Sequence, residues 1–198
     1  TPNFKKFFQV DEVKLSEYLK LFQNELNKLE FKFTQPQFEQ LTSEANDGNP
    51  DSLLYLATVY YKGSNICESN KEKAAELYKK AADKGNSESM NLYGKMLFNG
   101  DGIPSDKKEA IKYYEKSANK ENSEGMLLFG DVLSKGEIDG VANKAKAAKL
   151  YKMSSDKGKI EAMYKYALMA YFGDGIDVNI KDAYNYFTIS KDNNNLDA

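Results

Sequence analysis

The chain has 198 residues, 41% hydrophobic and 29% charged, a balance that fits one folded domain or a modest repeat array and excludes a disordered chain. Its formal charge is −2, every basic residue is lysine and no long run of like charge occurs, so the field of a nucleic-acid or anionic-membrane binder is missing. Histidine is absent, which removes the commonest general base and metal ligand, and the lone Cys67 cannot close an internal disulfide.

The N-terminal part carries Phe4, Phe7 and Phe8, then Leu15, Leu19, Phe22, Leu26 and Leu29. Steps of four and three residues predict an amphipathic helix from about residue 11 to 30. Two roles fit it: an N-terminal cap, paired with the helix that follows, or a helix that docks on a partner. Next, Leu41, Ala45 and Gly48 carry the spacing of Tyr78, Ala82 and Gly85 further along, which predicts a half unit over residues 36–48.

From there a segment of about 37 residues recurs, and a period in that range marks a stacked array whose units bury their apolar faces only against neighbours. The first copy runs Ser52, Leu53, Leu56, Ala57, Tyr60 and Gly63, then Ala74, Leu77, Tyr78, Ala81, Ala82 and Gly85. Leu53, Leu56, Ala57 and Tyr60 fall at helical spacing and define a helix A. It should open on an acidic residue (Asp51, Glu88, Glu124, Glu161), where a carboxylate meets the positive helix end. It should stop at Gly63, Gly100, Gly136 or Gly173, the residue best able to take the left-handed conformation. A short loop should then return one aliphatic residue (Ile66, Ile103, Val141, Ile176) toward the core.

Helix B follows, with Tyr78, Tyr114 and Tyr151 expected in the core alongside Tyr60 of helix A, and lysines such as Lys79, Lys80 and Lys84 in water. Gly85 and Gly158 close two B helices, whereas Glu121 and Asn194 stand in the other two copies, where frayed or differently built ends are expected. Small residues recur at the second A position (Ser52, Ser89, Gly125, Ala162) and the seventh (Ala57, Gly94, Gly130, Ala167), as helices about 8 Å apart require.

This distributed pattern of Ala, Leu-Gly, Tyr and Gly in A, then Lys-Ala, Tyr and Ala-Ala in B, resembles the Sel-one-like repeat family, a relative of the tetratricopeptide repeat. The match covers about residues 37–193 and departs from the pattern in three places. The second loop glycine is missing after Gly63, the loop from Gly136 to Gly140 is two residues longer, and Ala170 replaces an aromatic. The resemblance implies an all-α fold, a right-handed α–α superhelix of about four full repeats, with residues 1–35 as an N-terminal segment, 36–193 as the array and 194–198 as a polar tail. It also implies a non-enzymatic scaffold or adaptor for a peptide or protein partner, or alternatively a regulatory or linker repeat domain of a larger protein such as a protist protein kinase.

If the array curves as tetratricopeptide arrays do, the A helices line the hollow side, and the first, fourth, eighth and eleventh A positions should face it. The groove candidates are Leu54, Thr58 and Tyr61; Asn91, Lys95 and Phe98; Leu127, Asp131 and Ser134; and Tyr164, Leu168 and Tyr171. Four helices at 8–10 Å spacing give a groove of roughly 35–40 Å, room for about ten extended residues. Tyr171 and Leu168 lie in the last copy, where they could equally form a terminal apolar surface, and the ends of the stack are places for self-association.

No catalytic group is assigned, and no cofactor or metal is expected. Gly100-Asp-Gly102 and Gly173-Asp-Gly175 follow helices and lack the Lys-Ser/Thr ending of phosphate loops. Asp174, Asp177, Asn179 and Asp182 lack the central glycine and final glutamate of a calcium loop. No nucleic-acid partner is expected, nor a membrane span, since no apolar stretch approaches ~18 residues. The cysteine usage suits the cytoplasm, although the opening on Thr1-Pro2 leaves room for a longer parent chain with its own targeting signal.

Overall fold

A computed structural model describes residues 32–193. Within them the chain is helical throughout, with helices α1 (Gln35–Asn46), α2 (Pro50–Lys62), α3 (Lys71–Asp83), α4 (Ser87–Asn99), α5 (Lys107–Asn119), α6 (Ser123–Lys135), α7 (Lys144–Asp156), α8 (Ile160–Phe172) and α9 (Ile180–Asn193). Helices α2, α4, α6 and α8 are the A helices, and α3, α5, α7 and α9 their B partners. Every consecutive pair packs together, and α4 also touches α6, as a solenoid of antiparallel helix pairs requires. The amphipathic segment of residues 11–30 and the Phe4, Phe7 and Phe8 cluster lie outside the described residues.

Each helix start has a chemical cause. Asn49, Asn86 and Asn122 cap α2, α4 and α6, and Asn70, Asp106 and Asn143 cap α3, α5 and α7, each accepting a hydrogen bond from a backbone N–H of the first turn. The acidic residue expected to open each A helix is its second residue, behind Pro50, Ser87, Ser123 or Ile160. Only α8 departs among the A helices: Lys159 precedes it and gives no side-chain cap. The A helices end on Gly63, Gly100, Gly136 and Gly173, the last three at φ near +70° in the left-handed region.

Of the two B-helix ends without glycine, Asn194 lies outside the described residues, and the other differs from expectation. Glu121 does not leave α5 frayed: it takes φ 58°, and its N–H bonds the Ala118 carbonyl just as the Gly85 N–H bonds Ala82. The following Asn122 N–H bonds Ser117 O as Asn86 N–H bonds Ala81 O, so the closing geometry is set by the repeat and not by the residue. A side chain in that region costs about 1–2 kcal/mol, which the neighbouring packing must carry.

Two core clusters fill the stack. One joins Leu41, Leu53, Leu56, Ala57, Ala74, Tyr78 and Met96; the other joins Tyr113, Tyr114, Met126, Phe129, Tyr151 and Tyr166. Tyr78, Tyr114 and Tyr151 are buried, and Tyr60 is half-buried under Lys73, whose ammonium stands 4.1 Å from the ring centroid. The small A positions permit this density: a Cβ on Gly94 would stand 2.6 Å from Tyr114 Cε1, and one on Gly130 2.7 Å from Tyr151 Cε1. Ile103 and Ile176 pack on the core as expected. Val141 does not; it is 70% exposed, and the longer loop that carries it also exposes Ile138. Gly102 and Gly175 press their loops against Lys71 and Lys144 of the preceding repeat, whereas Gly140 has nothing within 4 Å. The two extra residues lift this loop off its neighbour.

Candidate protein-binding surface

The A helices meet along a run of polar contacts that cross from each repeat to the next. Lys95 on α4 reaches Glu124 on α6 at 2.6 Å, and Lys159, at the start of α8, pairs with the same carboxylate. Lys165 on α8 reaches back to Asp131 at 2.7 Å and to Glu161 at 2.9 Å. Burial alone would raise the Glu124 carboxyl, but hydrogen bonds from Lys159 and Lys95 hold it below the usual carboxylate range. Burial would likewise lower Lys165, and the hydrogen bonds to Asp131 and Glu161 raise it instead. These ion pairs neutralise the face and orient its side chains.

The candidates divide by column. The fourth A position points at the next A helix: Asn91 and Leu127 are each 2% exposed, so a partner cannot touch them. Asn91 Nδ2 donates to Asn122 Oδ1 at 2.9 Å, and its own Oδ1 is buried without a partner. Leu54 is half-buried on the first core cluster. In the eighth column, Thr58 accepts from the Tyr78 hydroxyl at 3.0 Å, Asp131 accepts from Tyr151 at 2.6 Å, and Lys95 is held by Glu124. Burial is the first cause that raises Tyr78, to about 12, and the same cause raises Tyr151, with the Asp131 bond adding to it.

In the eleventh column Tyr61 donates to Asp101 at 2.6 Å, Phe98 leans on Tyr114 with centroids 6.2 Å apart, and Ser134 is half-buried. Tyr164 and Tyr171 are half exposed and Leu168 half-buried, on the last A helix of the described residues. The A positions most open to solvent are the first and the twelfth, as at Asp51 and Lys62, Glu88 and Asn99, or Glu161 and Phe172, whereas the fifth is exposed at Tyr55 but half-buried at Leu92, Leu128 and Lys165.

Between α2 and α4 this face opens into a pocket of about 200 Å³ lined by Tyr61, Tyr78, Leu92, Lys95, Met96, Asn99 and Asp101. Its rim is fixed by a triad, since Asp101 also accepts from Lys71 at 2.6 Å. The Lys71 bond, then the Tyr61 bond, lowers the Asp101 carboxyl, and the Asp101 bond raises the Tyr61 phenol. Leu92, Met96, Asn99 and Asp101 were not singled out from sequence; their shared wall exists only once α2 and α4 are placed side by side. Of the calcium-like oxygens, Asp174 is spent on Lys144 at 2.7 Å and Asn179 on the first turn of α9.

Stacked helix pairs with glycine stops and an A-helix face of this kind define a TPR-like solenoid. The family model of the Sel1 repeat matches residues 50–86, 87–122, 123–159 and 160–195, and the chain belongs to the Sel1 repeat family. Among solved structures it is similar to a protective antigen of uropathogenic Escherichia coli strains displaying an SLR fold, at 24% identity and TM-score 0.73 over 80% of this chain and 33% of that one. It is also similar to a Sel1 repeat protein from Oxalobacter formigenes, at 23% identity and TM-score 0.71 over 80% of this chain and 65% of that one. An immunity protein from Pseudomonas aeruginosa aligns at 19% identity and TM-score 0.53, over 78% and 56% of the two chains. The chain thus spans less than two thirds of each of these relatives, and the likeness is one of fold. No curated protein sequence matches significantly. Among the described residues, no helix is long and apolar enough to cross a membrane.

Proposed function

We propose that the array is a non-catalytic scaffold that binds a protein or peptide along the open side of its A helices, with one apolar side chain of the partner anchored between α2 and α4. Proteins built of Sel1 repeats generally mediate protein–protein interaction, and the family is generally a repeat scaffold without chemistry of its own. In this reading residues 36–193 form the array, with residues 1–35 ahead of it and 194–198 as its tail.

The observation that carries the reading is the pocket at Tyr61 and Lys95. At about 200 Å³ it is smaller than the ~300 Å³ at which small-molecule sites begin, yet it has the apolar floor of Leu92 and Met96 and a polar rim that suit one side chain of a longer ligand. The paired charges around it leave little net field, which favours an apolar anchor over a phosphate or a nucleic acid. Peptides selected from a displayed library against the intact chain test the reading. Tyr61→Ala and Asn99→Glu should each weaken the selected peptides about tenfold or more, with the urea midpoint of Asn99→Glu unchanged because Asn99 is exposed. Peptides that bind both variants as tightly as the parent would refute the placement.

A further inference from the structure

A carboxylate directly follows the glycine that ends each of α4, α6 and α8: Asp101, Glu137 and Asp174. Two of them are satisfied by the repeat before. Asp101 accepts from the Tyr61 hydroxyl and from Lys71, both at 2.6 Å, and Asp174 accepts from Lys144 at 2.7 Å. Glu137 has no such donor among the described residues. Its Oε2 is buried without a hydrogen bond, and its Oε1 stands 4.0 Å from Lys135, too far for one.

The cause is local sequence. Phe98 stands in the column of Tyr61 and has no hydroxyl to give. Lys107 opens α5 as Lys71 opens α3, yet its ammonium lies over the Phe98 ring, 4.9 Å from the centroid. The longer loop adds to the difference, since Gly140 touches nothing within 4 Å where Gly102 and Gly175 press on Lys71 and Lys144.

The tyrosine of this seam lacks a partner as well. Tyr78 donates to Thr58 at 3.0 Å and Tyr151 to Asp131 at 2.6 Å, whereas the hydroxyl of Tyr114, a residue 3% exposed, makes no hydrogen bond among the described residues. In the column of Thr58 and Asp131 it meets Lys95, which turns away to Glu124 at 2.6 Å. Burial raises the Tyr114 phenol, and the charges of Glu124 and Glu137 raise it further. Buried polar groups left unpaired are costly, and the seams on either side avoid them.

We infer that the seam between α4 and α6 receives a lysine or arginine side chain of the polypeptide partner, its cation donating to Glu137 and to the Tyr114 hydroxyl. This rests on the placement of the partner along the A helices. The Glu137 side chain is 25% exposed, so a side chain arriving from outside reaches it, whereas Glu124 is already spent on Lys95 and Lys159. Asp101 belongs to the rim of the pocket at Tyr61, and Glu137 is its counterpart one repeat along the stack. One repeat is about 8–10 Å, which an extended chain covers in about three residues. The partner therefore carries a basic residue about two to four positions from its apolar anchor.

Peptides selected against the intact chain, each paired with a copy in which the basic residue is replaced by methionine, test the inference by titration calorimetry. Glu137→Gln should weaken the basic peptide about tenfold and leave its methionine copy unchanged, as loss of a hydrogen bond between charged groups does. Phe98→Tyr should do the same by another route, because it offers Glu137 a donor from within the chain as Tyr61 does for Asp101. A selection that does not enrich lysine or arginine at those positions overturns the inference, and so does an equal loss for both peptides. If Asn99→Glu weakens binding while Glu137→Gln changes nothing, the apolar anchor stands and the basic one falls. If neither changes binding, both fall.

Discussion

Gly130→Ala changes one hydrogen to a methyl group where α6 presses on the Tyr151 ring of α7. The new Cβ would stand 2.7 Å from Tyr151 Cε1, 3.0 Å from Cδ1 and 3.3 Å from Cζ. The ring has little freedom to yield, since Tyr151 is 3% exposed and its hydroxyl is held by Asp131 at 2.6 Å. Overpacking of this size costs about 1–3 kcal/mol, and alanine returns about 1 kcal/mol of helix propensity, which leaves a net loss of about 1 kcal/mol. The reverse change in the first repeat, Ala57→Gly, should also destabilise. Ala57 is fully buried beside Tyr78, and its removal forfeits about 1 kcal/mol of propensity and about 0.8 kcal/mol of buried methyl. Opposite substitutions in one column should therefore both lower the urea midpoint, read by far-ultraviolet circular dichroism, and each kcal/mol should lower Tm by about 2–4 °C. A Gly130→Ala protein more stable than the parent would show that the ring is not held against α6, and the argument from close packing would fail.

Asn122→Ala should cost more than Asn70→Ala. Both remove a cap worth about 1 kcal/mol, but Asn122 also holds the buried Asn91 amide, whose loss adds about 1–3 kcal/mol; equal urea midpoints would contradict this. Glu121→Gly should raise Tm slightly, because the φ of 58° costs glutamate about 1–2 kcal/mol, less the extra freedom glycine gives the unfolded chain; a drop would show the strain to be absent. Stability should fall in acid. Asp101 and Glu124 are held below their ordinary values, so the unfolded chain takes up their protons first. The stabilisation is complete above the unfolded value of about 4 and is lost as pH falls through the lower folded values. A urea midpoint that rises on acidification from about pH 5 to 3 would contradict the pairing, and Asp101→Asn should flatten the fall.

The fold was legible because its punctuation is chemical. Gly63, Gly100, Gly136 and Gly173 end helices for a steric reason visible in sequence, and the column of Ala57, Gly94, Gly130 and Ala167 announces close approach. The asparagine caps were not read in advance, although Asn49, Asn86 and Asn122 each sit two residues before the acid that opens the A helix, with Lys159 in their place in the last copy. Other features depend on tertiary placement. The packing of each A helix on the next buries Asn91 and Leu127, which no single helix reveals. Glu121 adopts a glycine-like conformation because the repeats on either side fix the chain path. Val141 stays in water because two inserted residues lift its loop away from the preceding helix.

The central claim is that a polypeptide partner lies along the A helices with an anchor between α2 and α4. Amide and methyl chemical shifts of the labelled chain, titrated with a peptide selected for binding it, test this most directly. The account predicts that the largest changes fall on Tyr61, Leu92, Met96 and Asn99, and that they vanish in Asn99→Glu. Changes concentrated on the outer lysine faces of α3, α5 and α7 would contradict it.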